Sequence, residues 1–151
     1  MKVSQILVLI TLFSTLISSD AQKINVLVLD NATGKPYQGI EIHYGCEDGG
    51  VWSPSRTTKT DINGLAEVPY PCTSGVLFRV WTYIPGEKLA ECGELTGQTL
   101  QKLLEVGVIS NPRADGGIWC PVKVSKKMKP VPGQVTLFLK KPTWWQTHVA
   151  P

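Results

Sequence analysis

The sequence predicts an all-β sandwich of about seven strands, with one short inserted helix and two disulfides. Three observations predict it. First, 14 glycines and 11 prolines in 151 residues are a density of turn formers that suits many short strands rather than a helical bundle. Second, runs rich in β-branched and aromatic residues recur between those turns. Third, the chain has four cysteines, all after an export-type N-terminal segment, and an even count in an exported domain reads as disulfides. The hydrophobic fraction of 42% and charged fraction of 18% suffice for one core and exclude coiled coil, collagen and wholesale disorder.

Residues 1–21 read as a signal peptide. Lys2 supplies the charge, Ile6 to Ile17 form an apolar run, and Ser19-Asp20-Ala21 places small residues where a signal peptidase cuts. A spanning helix needs roughly 18 or more apolar residues, and this run has 12. No membrane anchor is therefore expected after cleavage, and the mature chain is expected to start at Gln22.

The domain proper is expected over residues 22–141, with 142–151 as a C-terminal tail. Ile24 to Asp30 is the first strand, closed by the turn Asn31-Ala32-Thr33-Gly34-Lys35-Pro36. Ile40, Ile42 and Tyr44 alternate with Glu41 and His43, as in a half-buried strand. Gly49-Gly50 and Ser53-Pro54-Ser55 mark a loop. The Asn63-Gly64 step between Arg56–Thr60 and Leu65–Val68 reads as a hairpin, because such a turn needs positive φ. Val76 to Tyr83 reads as the strongest central strand, with Val76, Phe78 and Val80 on one side and Leu77 and Trp81 on the other. Thr96 is the expected N-cap of a helix in which Leu100, Leu103 and Leu104 recur at helical spacing, and Gly107 suits its C-terminal end. Ile118 to Val124 reads as a strand weakened by Pro121. Gln134 to Lys140 is the last strand, with Val135, Leu137 and Leu139 alternating with Thr136 and Phe138.

Cys46, Cys72, Cys92 and Cys120 are separated by 26, 20 and 28 residues, which lacks the paired spacing of a zinc site. Three connectivities are open to four cysteines. Cys46 follows the second strand and Cys72 the hairpin's return strand, so both can lie at one end of the sandwich. This favours Cys46 with Cys72 and Cys92 with Cys120. Charge divides by region: residues 22–115 carry 8 basic and 11 acidic groups, whereas 116–151 carry six lysines and no acid. A basic end can attract an anionic partner, and it can equally be a solvated face that discourages edge aggregation. Export makes nucleic acid an unexpected target.

Val28-Leu29-Asp30-Asn31-Ala32-Thr33-Gly34-Lys35-Pro36-Tyr37-Gln38-Gly39-Ile40-Glu41-Ile42, with Thr58-Lys59-Thr60-Asp61-Ile62-Asn63-Gly64-Leu65-Ala66-Glu67-Val68, resembles carboxypeptidase regulatory-like domains. The resemblance implies a transthyretin-like (prealbumin-like) sandwich over about residues 24–83 and carries little about activity. From Cys92 to Cys120 the chain departs from that pattern. Related families with chemistry carry motifs that do not match. Neither His43 nor His148 begins a His-x-x-Glu zinc pair, and the chain ends Thr147-His148-Val149-Ala150-Pro151 rather than in Tyr-Arg-Gly-Ser. Lys23 stands at the very start of the first strand, not inside it as an isopeptide would need.

No catalytic constellation, metal site or cofactor is expected. His43 reads as a solvated or hydrogen-bonded surface residue. Asp30, Asp61 and Asn63 are oxygen ligands in principle, and Asx-turn bonding accounts for them without a metal. Asn31-Ala32-Thr33 is a glycosylation sequon. Trp81 and Trp119 are expected in the core. The candidate binding residues are Lys140, Lys141, Trp144 and Trp145 at the end of the last strand, with Trp52 from a loop, since aromatic rings beside cations suit stacking. The expected function is that of a secreted or periplasmic, non-catalytic module binding a glycan or extracytoplasmic protein. The alternative is a structural or inhibitory secreted scaffold, and a secreted hydrolase is the weakest reading. N-terminal sequencing of exported protein should begin at Gln22, and retention of residues 1–21 would refute the signal peptide.

Overall fold

The computed structural model describes residues 22–53, 56–70, 72, 76–83, 90–92, 95, 97–110, 124 and 127–141. Among the described residues there are nine strands and one helix: β1 (Lys23–Asp30), β2 (Glu41–Asp48), β3 (Val51–Trp52), β4 (Arg56–Lys59), β5 (Leu65–Pro69), β6 (Leu77–Tyr83), β7 (Ala90–Cys92), α1 (Leu100–Glu105), β8 (Val108–Ile109) and β9 (Gln134–Lys140). The fold is all-β, in two sheets, as expected. β3 and β8 are two-residue strands, too short to register as alternation in the sequence. The expected strand at Ile118 to Val124 lies outside the described residues except for Val124, which is a bend.

The first sheet runs β5-β1-β9-β7, with β8 also on β9. β1 pairs parallel with β9 from Asn25↔Gln134 to Asp30↔Leu139 and antiparallel with β5. In the second sheet β2 is central. Residues Glu41–Tyr44 pair with both β4 and β6, and Glu47 pairs with both β3 and β6. β3 and β4 therefore share one edge of β2, and β6 holds the other.

Alternation along the strands explains the core. Ile24, Val26 and Val28 of β1, Ile42 and Tyr44 of β2, Ala66 and Val68 of β5, Phe78 and Val80 of β6, and Val135, Leu137 and Leu139 of β9 meet between the sheets. Side chains two apart on a strand share a face, so Leu27 and Leu29 of β1 and Phe138 of β9 turn the other way. They too are covered. Leu29, Phe138 and Cys92 form a second buried cluster with Ile109, Val124 and Met128 against it. Five consecutive residues of β9, Val135 to Leu139, are buried, so β9 is covered on both faces, whereas Lys23, Asn25 and Glu67 on the outer side of β1 and β5 are exposed.

Four expectations are corrected. Asp61–Gly64 is a tight turn, with Gly64 N–H donating to Asp61 C=O at 3.0 Å, but it is not a hairpin. β4 belongs to the second sheet and β5 to the first, so the turn carries the chain across the sandwich. Thr60 prepares this crossing, because its amide, carbonyl and hydroxyl are all engaged by residues 37–40. Among the described residues β6 lies at the edge of the second sheet rather than at its centre, extended on its open side only by the bridge Phe78↔Gln98. That bridge also displaces the helix start. With Gln98 held by two backbone hydrogen bonds to Phe78, the N-cap is Thr99, whose side chain accepts from Lys102 N–H, not Thr96. Finally, β9 is buried on both faces, where alternation alone suggested one.

The helix closes the end of the sandwich where β9 begins: Leu103 is buried in the main core, and its carbonyl accepts from Gly133 N–H at 2.8 Å. Cys46 and Cys72 form a disulfide as expected. It joins β2 of the second sheet to the segment after β5 of the first, and closing a loop of this size stabilises the fold by about 3.5 kcal/mol. Cys92 is also disulfide-bonded, and Cys120, the partner expected for it, lies outside the described residues.

Two glycines with positive φ separate backbone strain from steric contact. At Gly64 an added Cβ would sit 2.7 Å from the Val28 carbonyl oxygen and 2.8 Å from Pro36 Cβ, whereas at Gly49 it would meet nothing. Gly49→Ala should cost about 1 kcal/mol, the left-handed penalty alone. Gly64→Ala should cost about 3 kcal/mol or more, because overpacking is added. Urea melts of both variants check this, and equal losses would show that close approach is not what Gly64 serves.

Candidate binding face

On the outer face of the second sheet polar and aromatic side chains from β2, β4 and β6 gather. On β2, Ile42 and Tyr44 face the core, so Glu41, His43, Gly45 and Glu47 face outward. On β6, Phe78 and Val80 face the core, so Leu77, Arg79 and Trp81 face outward. Register sets His43 directly opposite Trp81 and Gly45 opposite Arg79. The His43 and Trp81 rings stack, with centroids 5.6 Å apart and planes 21° from parallel. His43 Nε2 lies 2.9 Å from Glu41 Oε1. One row along, Arg79 Nε and Glu47 Oε2 form an ion pair at 2.6 Å, placed diagonally across Gly45. β4 completes the face with Thr57 opposite His43 and Lys59 opposite Glu41, both exposed.

Each of these side chains is positioned by the ladder. A cross-strand pair on one face brings Cβ atoms to within about 5.5 Å, which suits the stacking of two flat rings. The ion pair is drawn partly out of water, with 36% of the Arg79 side chain and 19% of Glu47 still exposed. Half-buried ion pairs of this kind contribute modestly to stability. Their effect here is to hold a guanidinium and a carboxylate in one geometry beside the indole.

The residues expected to bind are distributed differently. Lys140 ends β9 in the first sheet, opposite Ala90, and Lys141 follows it, exposed. Trp52 lies in β3 of the second sheet, opposite Glu47. β9 ends beside Asp30, where the chain leaves β1 for the start of β2, whereas β3 pairs with the far end of β2. Lys140 and Trp52 therefore stand at opposite ends of the sandwich, and the expected grouping does not form. Lys129 precedes the start of β9, so it too is at the other end from Lys140. Trp144, Trp145, Trp119 and Lys126 lie outside the described residues. Trp81, expected in the core, is half-buried on the outer face. The sign of this was present in the sequence, since Arg79 shares its face by alternation. The stack with His43 was not legible, because it needs the register between β2 and β6.

The turn carboxylates are engaged locally. Asp30 Oδ1 accepts from Ala32 N–H, Thr33 N–H and Thr33 Oγ1 at 2.7 to 3.0 Å, and Oδ2 accepts from Tyr37 Oη at 2.8 Å. Asp61 Oδ1 accepts from the amides of Asn63 and Leu65. Asx-turn bonding accounts for both, and no group of three or more His, Cys, Asp or Glu is placed to hold a metal among the described residues. Asn31 is only 1% exposed, and the Thr33 hydroxyl donates to Asp30. The Asn31 sequon is therefore shut inside the fold, with no room for a glycan.

The Asp30–Tyr37 pair has opposite effects on its two members. Burial alone would raise the Asp30 carboxyl, but the hydrogen bonds from Tyr37, Thr33 and Ala32 outweigh it and hold the pKa below its ordinary value. The Tyr37 phenol is pushed up to about 12 by burial, then by its bond to Asp30 and that carboxylate's charge. A depressed carboxyl contributes stability above its unfolded pKa and loses it as pH falls through the folded value. A raised phenol contributes below its unfolded pKa, about 10, and loses that contribution as pH rises to about 12. Absorbance titration at 295 nm should show a phenol ionising near pH 12 that is absent in Tyr37→Phe. The same variant should lose less stability on acidification than the parent. A full complement of phenols ionised by pH 11 would contradict the pairing.

Comparison with protein-family models, with curated proteins and with solved structures finds no match to this chain.

Proposed function

We propose that this chain is an exported, non-catalytic β-sandwich module of the carboxypeptidase regulatory-like type that acts by binding a glycan or protein partner in the envelope or extracellular space. One observation carries the binding reading: a stacked Trp81–His43 pair flanked by ionic side chains on an otherwise hydrogen-bonded sheet face. Rings fixed in advance by strand register bind with a small entropy loss. Export is supported by the Cys46–Cys72 disulfide, since such bridges persist in oxidising compartments, and by the signal-like character of residues 1–21. No helix among the described residues is long and apolar enough to cross a membrane.

A second reading, a secreted scaffold or inhibitor, is favoured by the β2–β3 tip. There Gly49-Gly50 presents Val51, 72% exposed, next to a strand anchored by the disulfide at Cys46. A rigid loop with an apolar tip is suited to insertion into a partner's pocket.

A thermal-shift screen of the exported protein against oligosaccharides and peptides tests the proposal. A ligand at 100 times its Kd adds about 2.7 kcal/mol, which for a domain of this size raises Tm by roughly 10 °C. Turnover of a test ester or peptide by the purified chain, lost when a single side chain is replaced, would overturn the non-catalytic reading.

A further inference from the structure

We infer that the open edge of β4 takes up an acidic, extended peptide segment of a partner protein as an added strand, an inference that rests on the reading of this protein as a binding module. Thr60 N–H donates to the Ile40 carbonyl at 3.0 Å, and hydrogen-bonded pairs alternate along an antiparallel ladder. With the register Ile42↔Thr58 and Tyr44↔Arg56, Arg56 and Thr58 turn their N–H and C=O groups to β2. Those of Thr57 and Lys59 point the other way. Ser53 N–H, which donates to the Cys46 carbonyl at 2.9 Å, sets the same parity from the β3 side. Among the described residues no strand lies beyond β4, and Arg56, Thr57 and Lys59 are exposed. Two backbone donors and two acceptors thus stand open to an incoming strand, the template on which strand addition works.

The edge of β5, to which the Asp61–Gly64 turn leads, is blunted by contrast. Val28 N–H donates to the Gly64 carbonyl and Tyr70 N–H to that of Gln22, so Leu65, Glu67 and Pro69 point their backbone groups away from β1. Leu65 N–H donates to Asp61 Oδ1, and its carbonyl accepts from Asp61 N–H. Pro69 has no N–H to give. Only Glu67 of the three keeps an open pair, whereas β4 has no such stopper along its length. The partner's character follows from the side chains of β4. Arg56 and Lys59 lie on opposite faces of the strand with Thr57 and Thr58 between them, and residues 53–60 hold no acid. Neither cation is in an ion pair among the described residues. Opposite charges directly across a ladder are favourable and like charges are not. Acids three residues apart on the added strand meet both cations, and β-branched residues between them suit the two threonines. A second copy of β4 brings two more cations and no acid, and residues 116–151 of this chain hold no acid either. Thr60, 4% exposed, ends the edge on one side. On the other, the register shifts by one residue between Glu47↔Trp52 and Tyr44↔Arg56, a bulge that interrupts pairing. The site is therefore four residues long and fits a short segment.

Fluorescence anisotropy of the exported protein with a labelled peptide, Ser-Thr-Asp-Val-Val-Glu-Thr-Ser, tests this directly. The peptide should bind saturably, and its counterpart with lysines in place of both acids should bind about tenfold more weakly or worse. N-methylation at the second valine, which falls opposite Thr57 and removes a ladder donor, should weaken binding about tenfold or more. Thr57→Pro removes an outward N–H that β2 does not use, a place where an edge strand tolerates proline, and should weaken binding as much. Arg56→Glu with Lys59→Glu should make the lysine peptide the tighter ligand. Glu67→Ala, on the blunted edge, should change nothing. Melting curves identify any variant that has lost its fold, and the N-methylated peptide tests the ladder on the unaltered protein. Equal binding of the plain and N-methylated peptides overturns the inference, as does equal binding of the acidic and lysine peptides. Dimerisation that rises with concentration and is lost in Thr57→Pro also overturns it, since a second copy then holds the edge. A thermal shift from a glycan or another peptide, while the acidic peptide does not bind, removes this edge and leaves the binding-module reading intact. No response to any oligosaccharide or peptide removes both.

Discussion

The parallel ladder between β1 and β9 is the constraint on which the sandwich depends. It joins the first strand of the domain to the last and runs from Asn25↔Gln134 to Asp30↔Leu139. A parallel pair cannot be closed by a tight turn and needs a long connection, here everything between Asp30 and Gln134. β9 also carries β7 and β8 on its far edge, so the first sheet is incomplete until the C-terminal strand arrives. The fold is accordingly dominated by non-local pairing, the topology that makes folding slow. The disulfide between Cys46 and Cys72 closes only the middle of the chain and leaves that late step untouched.

This arrangement makes the two sheets unequal. β9 is buried from Val135 to Leu139, and Phe138 on its outer side packs with Leu29 and Cys92 beneath Ile109, Val124 and Met128. The chain beyond β6 thus covers the outer side of β9 and the Leu27–Leu29 part of β1, while Lys23, Asn25 and Glu67 stay exposed. The second sheet has a core face of Ile42, Tyr44, Phe78 and Val80 and an outer face of charged and aromatic side chains. One-sided burial of this kind is ordinary for antiparallel sheets.

The polar networks divide in the same way. Asp30, Thr33 and Tyr37, Thr60 with residues 37–40, and Asp61 with Asn63 and Leu65 are local or near-local bonds that shape turns. They use the oxygen atoms that would otherwise suggest a ligand site. On the second sheet two pairings cross between β2 and β6, and their geometry follows from register rather than from a turn. Arg79–Glu47 and His43–Trp81 are pairs between residues more than thirty positions apart.

The sequence alone determined what short-range chemistry controls. Gly and Pro content, period-two alternation in Ile40 to Tyr44, and Gly107 after Leu103 were enough for the fold class, the inward residues of β2 and β6, and the end of the helix. The placement of Cys46 after the second strand and Cys72 after the strand returning from Gly64 was enough to favour their pairing. Only the tertiary structure decided which sheet each strand joins. An Asn-Gly turn is equally good chemistry whether the returning strand pairs with its predecessor or crosses to the opposite sheet, and the free edge of β1 draws β5 across. Burial of the second face of β9 depends on what packs over it, which the alternation of Val135 to Leu139 cannot express. The same holds for the outer face of the second sheet: Trp81 and His43 are 38 residues apart in the chain, and nothing local to either brings the rings together. The backbone register of β2 with β6 does.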